Sequence, residues 1–161
     1  MSDKMEINEI TGNLLDFPDG IDVAVHQANC QNIMGGGIAA QVRERYPEVY
    51  KADTEAHKEG LALLGFFSGC ELRSDPSKIV LNLYGQDRIG EGRQTNSEGL
   101  YTALDRAFSL ATSTKNPRHI GIPYLMGCGL AGGDWKIVRA MIDVLVEKYS
   151  IPVTIVKYDG S

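Results

Sequence analysis

Long apolar runs are missing from this 161-residue chain, and no stretch approaches the roughly 20 residues that a membrane-spanning helix needs. The opening segment MSDKMEINEI carries no signal-peptide core, so a cytoplasmic protein is expected, with no membrane partner. Cysteine is scarce. Cys30, Cys70 and Cys128 contain no C-x-x-C pair, which argues against a disulfide frame or a zinc site and fits free thiols in a reducing compartment. A positive surplus is lacking too: 16 Lys+Arg stand against 21 Asp+Glu, a formal charge of −5. Non-specific nucleic-acid binding rests on a cationic surface and is not expected. There is no G-x-x-x-x-G-K-[ST] loop, which excludes a P-loop nucleotidase, and no repeat, low-complexity tract or linker.

What the chain holds in excess is glycine, 18 of its 161 residues, where an average protein has roughly 7%. Hydrophobic residues make up 43% and charged residues 23%, as in a single globular domain over residues 1–161. Strand-like and helix-like segments alternate along it. Met5–Ile10 reads as an opening strand ended by the turn Thr11-Gly12-Asn13. Ile21–Ala28 is nearly continuous in apolar character, as in a strand covered on both faces. A helix follows Gly35-Gly36-Gly37 and stops at Pro47, which itself suits the first turn of another helix through about His57. Strands are expected near Gly65–Leu72, Ile79–Tyr84, His119–Tyr124 and Ile151–Lys157. Between them lie two amphipathic helices. One buries Leu100, Ala103, Leu104, Ala107, Phe108 and Ala111, the other Val138, Met141, Ile142, Leu145, Val146 and Tyr149. This order predicts a three-layer α/β/α sandwich around a mixed, mainly parallel sheet of about six strands.

Such sheets bind ligands beyond the carboxyl ends of their strands. Two strand-to-helix crossings there are glycine-rich: Asn29–Gly37, and Gly127-Cys128-Gly129-Leu130-Ala131-Gly132-Gly133 before Asp134 and Trp135. Glycines let backbone N–H groups come close to a ligand, and a helix N-terminus adds partial positive charge. Paired, such loops suit a pyrophosphate without any lysine; taken singly, each is also what a tight turn looks like. The second loop contains G-x-G-x-x-G, yet the nearest acidic residue at a following strand end, Asp159, lies 27 positions beyond Gly132. A dinucleotide-binding dehydrogenase expects it about 20 residues on, with a second half to follow.

Ala28-Asn29, five loop residues and then Gly35-Gly36-Gly37-Ile38-Ala39 resemble the N-A-A-N…G-G-G signature of macro domains, the ADP-ribose-binding fold. Thr11-Gly12-Asn13-Leu14 stands where that family has its G-D-[IL] turn, and Gly127–Gly133 where it has its second phosphate loop. His26-Gln27-Ala28-Asn29, Asn82-Leu83-Tyr84-Gly85-Gln86 and Gly127-Cys128-Gly129-Leu130 look most like one branch of it. That branch holds the yeast ADP-ribose 1″-phosphate phosphatase and the terminal ADP-ribose protein glycohydrolase. The resemblance implies an adenine contact for Asn13, with Gly12 and Leu14 beside it, and the distal ribose for Asn29, next to Ala28. It places Gly35, Gly36, Gly37 and Ile38 along the ribose and phosphate, and Gly127, Cys128, Gly129, Leu130, Ala131 and Gly132 around the pyrophosphate. Tyr84 would line the pocket. Most macro domains carry Asp at the Asn13 position; an Asn carbonyl still accepts a hydrogen bond, without charge assistance. The glycohydrolase lysine and aspartate are absent, since Gly85 or Gln86 and Ala131 stand in their places.

Water is then the expected nucleophile. The candidate catalytic residues are Asn29, Asp134 and His26. Asp134 is equally suited to cap the helix that follows it, and His26 to be a hydrogen-bonded core residue. The polar segment Arg88–Asn96 is a candidate flap with Arg93 as a phosphate contact, or else an ordinary solvated loop. The expected activity is hydrolysis of a 1″-substituted ADP-ribose, foremost ADP-ribose 1″-phosphate, by a monomer needing no cofactor or metal. The alternatives are a non-catalytic ADP-ribose reader and a hydrolase that frees acidic side chains of ADP-ribose.

Overall fold

A computed structural model describes residues 6–29, 37–58, 62–86, 95–113, 117–128 and 132–160. Six strands form one sheet: β1 (Ile7–Gly12), β2 (Val23–Asn29), β3 (Phe67–Glu71), β4 (Ile79–Gln86), β5 (Ile120–Pro123) and β6 (Val153–Tyr158). Their spatial order is β1-β6-β5-β2-β4-β3. Every neighbouring pair is parallel except β3 with β4, so the sheet is mixed through one edge strand only. Helices α1 (Gly37–Arg45) and α2 (Pro47–Lys58) cover one face, α3 (Ser97–Thr112) and α4 (Trp135–Tyr149) the other. The three expected layers are present.

Two separate cores follow from the period-two alternation of the central strands. Val23, Val25, Leu81 and Leu83 point into the α3/α4 layer with Ile120, Ile122, Val153 and Ile155. Ala24, Val80 and Val156 point the other way, onto Leu14, Leu15, Val42 and Val49. The predicted stripe of α3 is buried throughout, and α3 starts where Asn96 accepts the Gly99 N–H at 2.9 Å. In α4 the stripe holds at Val138, Ile142, Leu145 and Val146, whereas Met141 is only half-buried.

Strand ends depart from expectation in two instructive places. Thr11 and Gly12 do not turn; they are the last rungs of β1, paired with Lys157 and Tyr158 of β6. The turn falls one residue later, at Asn13, whose Oδ1 accepts from Leu15 N at 2.9 Å and starts a 3₁₀ turn over Leu14–Asp16. A partner strand distant in sequence outweighs the local turn preference of Thr-Gly. The β2–β4 ladder slips between Ala28 and Asn29, which brings Asn29 opposite Gln86. That irregularity sits at the mouth of the sheet, where bulges re-aim side chains.

Candidate functional site

The carboxyl ends of β1, β2, β4, β5 and β6 meet around one cavity of about 400 Å³. Asn13 and Leu14 after β1, Gln27 of β2, Gln86 of β4, Pro123–Gly127 after β5, and Val156 and Tyr158 of β6 form its walls. The first turn of α1 closes it with Gly37, Ile38, Ala39 and Gln41. Gly37 has a φ of 57°, a left-handed conformation that favours glycine at this entry into the helix. The positive dipole end of α1 therefore abuts the cavity. Among the described lining residues there is no Asp, Glu, His, Lys or Arg. Polarity comes from the amides of Asn13, Gln27, Gln41 and Gln86, set in an otherwise apolar wall. On the rim, the half-exposed Tyr124 meets Trp135 edge-on, their ring centres 5.3 Å apart.

Several expected residues gather here. Asn13, Leu14, Gly37, Ile38 and Gly127 line the cavity directly. Asn29 closes β2 at the same end, its residue surface 7% exposed, and Ala28 beside it is buried. Gly12 ends β1 just before Asn13. Cys128 follows Gly127; its thiol donates to Met126 O at 3.4 Å, and burial, aided by the Asp134 charge, pushes its pKa up, away from the reactive thiolate. Gly132 has a φ of 70° and leads into Gly133. Gly35, Gly36, Gly129, Leu130 and Ala131 lie outside the described residues, as do Cys30 and Arg93.

The expectations for Tyr84 and His26 need correction, and Asp134 takes up the capping role that was one of its two expected ones. Tyr84 does not line the cavity. Its side chain alternates to the opposite face from Leu83, is fully buried, and donates its hydroxyl proton to Asp53 of α2. His26 points into the same layer, 1% exposed, with Nε2 2.6 Å from Asn82 Oδ1. Burial lowers its pKa to about 4, so the ring is neutral at physiological pH and Nε2 donates to the amide oxygen. Asp134 is exposed and caps α4, its Oδ1 accepting from Lys136 N at 2.9 Å. Its carboxylate is not part of the cavity wall.

His26 and Tyr84 belong instead to a buried polar chain. Asn82 Nδ2 donates to Val49 O and to Ser68 Oγ; Ser68 Oγ lies 2.6 Å from the Tyr84 hydroxyl; Asp53 Oδ1 takes the Tyr84 proton and stands 3.4 Å from His57 Nδ1. The chain ties α2 to β3, β4 and β2. Burial holds the Asp53 carboxyl above the usual carboxylate range, against the pull of the Tyr84 hydroxyl and His57. Tyr84→Phe removes one link and leaves a buried carboxyl oxygen short of a donor, so it should cost about 1–3 kcal/mol of stability. ADP-ribose affinity, measured by calorimetry beside a urea melt, should stay unchanged, because the ring faces away from the cavity.

Sequence reasoning did not single out Gln41, Met126, Val156 and Tyr158 as wall residues, or Gln27 and Gln86 outside the family motif. Gln27 carries a legible signal: it continues the inward face of Val23 and Val25, where an amide interrupts apolar alternation at the last step before the strand ends. Thr95 carries none, since only the tertiary fold brings it under the cavity floor.

Comparison with known proteins agrees with this geometry. The macro domain family model matches residues 25–142. An ADP-ribose 1″-phosphate phosphatase from Ajellomyces capsulatus is 47% identical over 45 residues, 28% of this chain. That match spans only 17% of the fungal protein's length. The macrodomain protein from Streptomyces coelicolor is 27% identical, with a TM-score of 0.77 over 97% of this chain and 100% of its own. Thermosipho africanus DarTG, solved in complex with ADP-ribose, shares the fold at a TM-score of 0.72 and 21% identity, over 86% of this chain and 38% of its own. With most of its length covered by the family model, its six-stranded sheet and its cavity at the carboxyl edge, the chain belongs to the macro domain family.

Proposed function

We propose that the cavity binds ADP-ribose and that the protein hydrolyses ADP-ribose 1″-phosphate to ADP-ribose and inorganic phosphate. The observation that carries the binding half is the wall itself. An apolar cavity furnished with amides, one helix N-terminus and the ends of two glycine loops holds a dianion by backbone dipoles, which suits a chain of net charge −5. Support for the substrate comes from the short fungal phosphatase match and from the absence of the glycohydrolase lysine at Gly85 and Gln86. In this reading water attacks phosphorus, the bond from phosphorus to the ribose 1″ oxygen breaks, and that oxygen takes a proton. Asn29 orients the distal ribose or the water.

A non-catalytic reader is the second reading, favoured by one observation: among the described lining residues none is an acid or base that titrates near neutrality. Phosphate release from ADP-ribose 1″-phosphate decides between them. Turnover that disappears in Asn29→Ala is the expected result; tight ADP-ribose binding with no phosphate release establishes the reader. Asp134→Ala should lose about 1 kcal/mol of stability as a helix cap. Activity surviving that loss assigns the residue to capping alone.

A further inference from the structure

Beneath the second glycine loop lies a hydrogen-bonded relay that no expectation anticipated. Gln27 Nε2 donates to Thr95 Oγ1 at 2.9 Å and to Gln86 Oε1 at 3.3 Å. Thr95, itself only 7% exposed, passes its own proton on to the Gly127 carbonyl at 2.6 Å. The same carbonyl accepts Gly133 N–H at 2.8 Å, which closes the loop on itself. Thr95 is fixed in turn, because it bridges to Gln86, and Asn96 N–H donates to Gly85 O at 2.7 Å. The Gln27 amide reaches this place only because two glycines make room. A Cβ on Gly85 would sit 2.7 Å from Gln27 Oε1, and one on Gly127 would sit 2.8 Å from it. Neither is a spacing that real side chains adopt.

The chemistry of an anion site explains why such a device is useful. A loop that cradles a pyrophosphate must present N–H groups and turn its carbonyl oxygens elsewhere, since a lone pair facing a phosphate oxygen repels it. Gly127 is the hinge of that choice: it has a φ of 76°, a left-handed conformation that glycine adopts without strain. Two donors, one from the loop and one from outside it, hold its oxygen against the protein. We propose that Gln27 and Thr95 are positioning residues for the pyrophosphate subsite, holding the Gly127 carbonyl away from the bound anion. This rests on the ADP-ribose reading above and names the residues that preorganise that site.

The test compares Thr95→Val with Thr95→Ser in the full chain, with ADP-ribose titrated by calorimetry and a thermal melt run beside it. Thr95→Val keeps the shape and removes the donor. It should weaken ADP-ribose roughly tenfold, the effect of one buried hydrogen bond, while Thr95→Ser, which keeps the hydroxyl, stays within about twofold of wild type. Emission from Trp135, the sole tryptophan, provides a second readout next to the loop; its response to ADP-ribose should shrink in Thr95→Val and return in Thr95→Ser. If Thr95→Val does not fold, Thr95→Ala is read by the same criteria. Wild-type affinity in a folded variant lacking the hydroxyl overturns the proposal, as does a serine variant as weak as the valine one. Failure of the wild-type protein to bind ADP-ribose is a different result, which overturns the functional reading and this proposal with it.

Discussion

Gly127→Ala is expected to weaken ADP-ribose binding on the order of a hundredfold, from two costs that add at one atom. The first is conformational. A φ of 76° costs an alanine about 1–2 kcal/mol, whereas glycine adopts it freely. The second is steric. The new methyl group would lie 2.8 Å from Gln27 Oε1 and 3.3 Å from Thr95 Oγ1, against two members of the relay that fixes the loop. Relief of either strain turns the Gly127 peptide or dislodges the Gln27 amide, and both disturb the cavity floor. The far side of the sheet should not notice, so a urea melt should show a moderate loss of stability with an unchanged slope. Full affinity in a folded Gly127→Ala protein would mean that this loop does not touch the ligand.

Acidification from pH 6.5 towards 4 should destabilise the protein, with His26 the principal reason and His119, whose pKa burial also lowers, acting in the same sense. In the unfolded chain this imidazole takes a proton below its ordinary value of 6.5; in the folded chain burial delays protonation to about 4. The unfolded state therefore binds the proton first, so stability is complete above pH 6.5 and drains away as the pH falls towards 4. By pH 4.5 the loss due to this one group is about 2 kcal/mol. Asp53 acts in the opposite sense, because its raised pKa lets the folded chain take up a proton ahead of the unfolded one. Stability should thus be compared at pH 7 and 4.5 for wild type and for His26→Gln, whose amide can still donate to Asn82. The variant should lose about 2 kcal/mol less than wild type over that interval. Equal losses would exclude the buried imidazole as the acid-sensitive group.

Most of the architecture was legible because it rests on short-range rules. The α3 stripe follows a 3.6-residue period, Asn96 and Asp134 stand where caps belong, and the two glycine runs mark crossings at the ligand edge of the sheet. Residue roles were less legible wherever a side chain's direction decided them. His26 and Tyr84 stand close to the cavity in sequence, and one step of strand alternation sends both to the far layer. Asp53 and His57 read as an ordinary polar pair one helical turn apart, and only packing against β4 makes them partners of Tyr84. Thr95 lies beyond the reach of any periodicity. Its importance depends on a bridge to Gln86 and a proton given to Gly127, both set by the tertiary fold.

The position of β6 has a consequence for biosynthesis. This strand lies between β1 and β5, pairing Ile7 with Val153 and Ile120 with the same residue, although it follows every other strand in sequence. As the polypeptide is made, β1 emerges before the other strands and waits for β6, its partner among the described residues, until nearly 150 residues later, a separation that slows folding. Until then both β1 and β5 present open edges to the cell, the condition under which chains pair wrongly. The wall formed by Asn13, Leu14, Val156 and Tyr158 is the seam between β1 and β6, the first and last strands of the sheet in sequence. A ligand gripped across that seam would stabilise the final step of folding, and nascent chains stalled before β6 should be both protease-sensitive and unable to bind it.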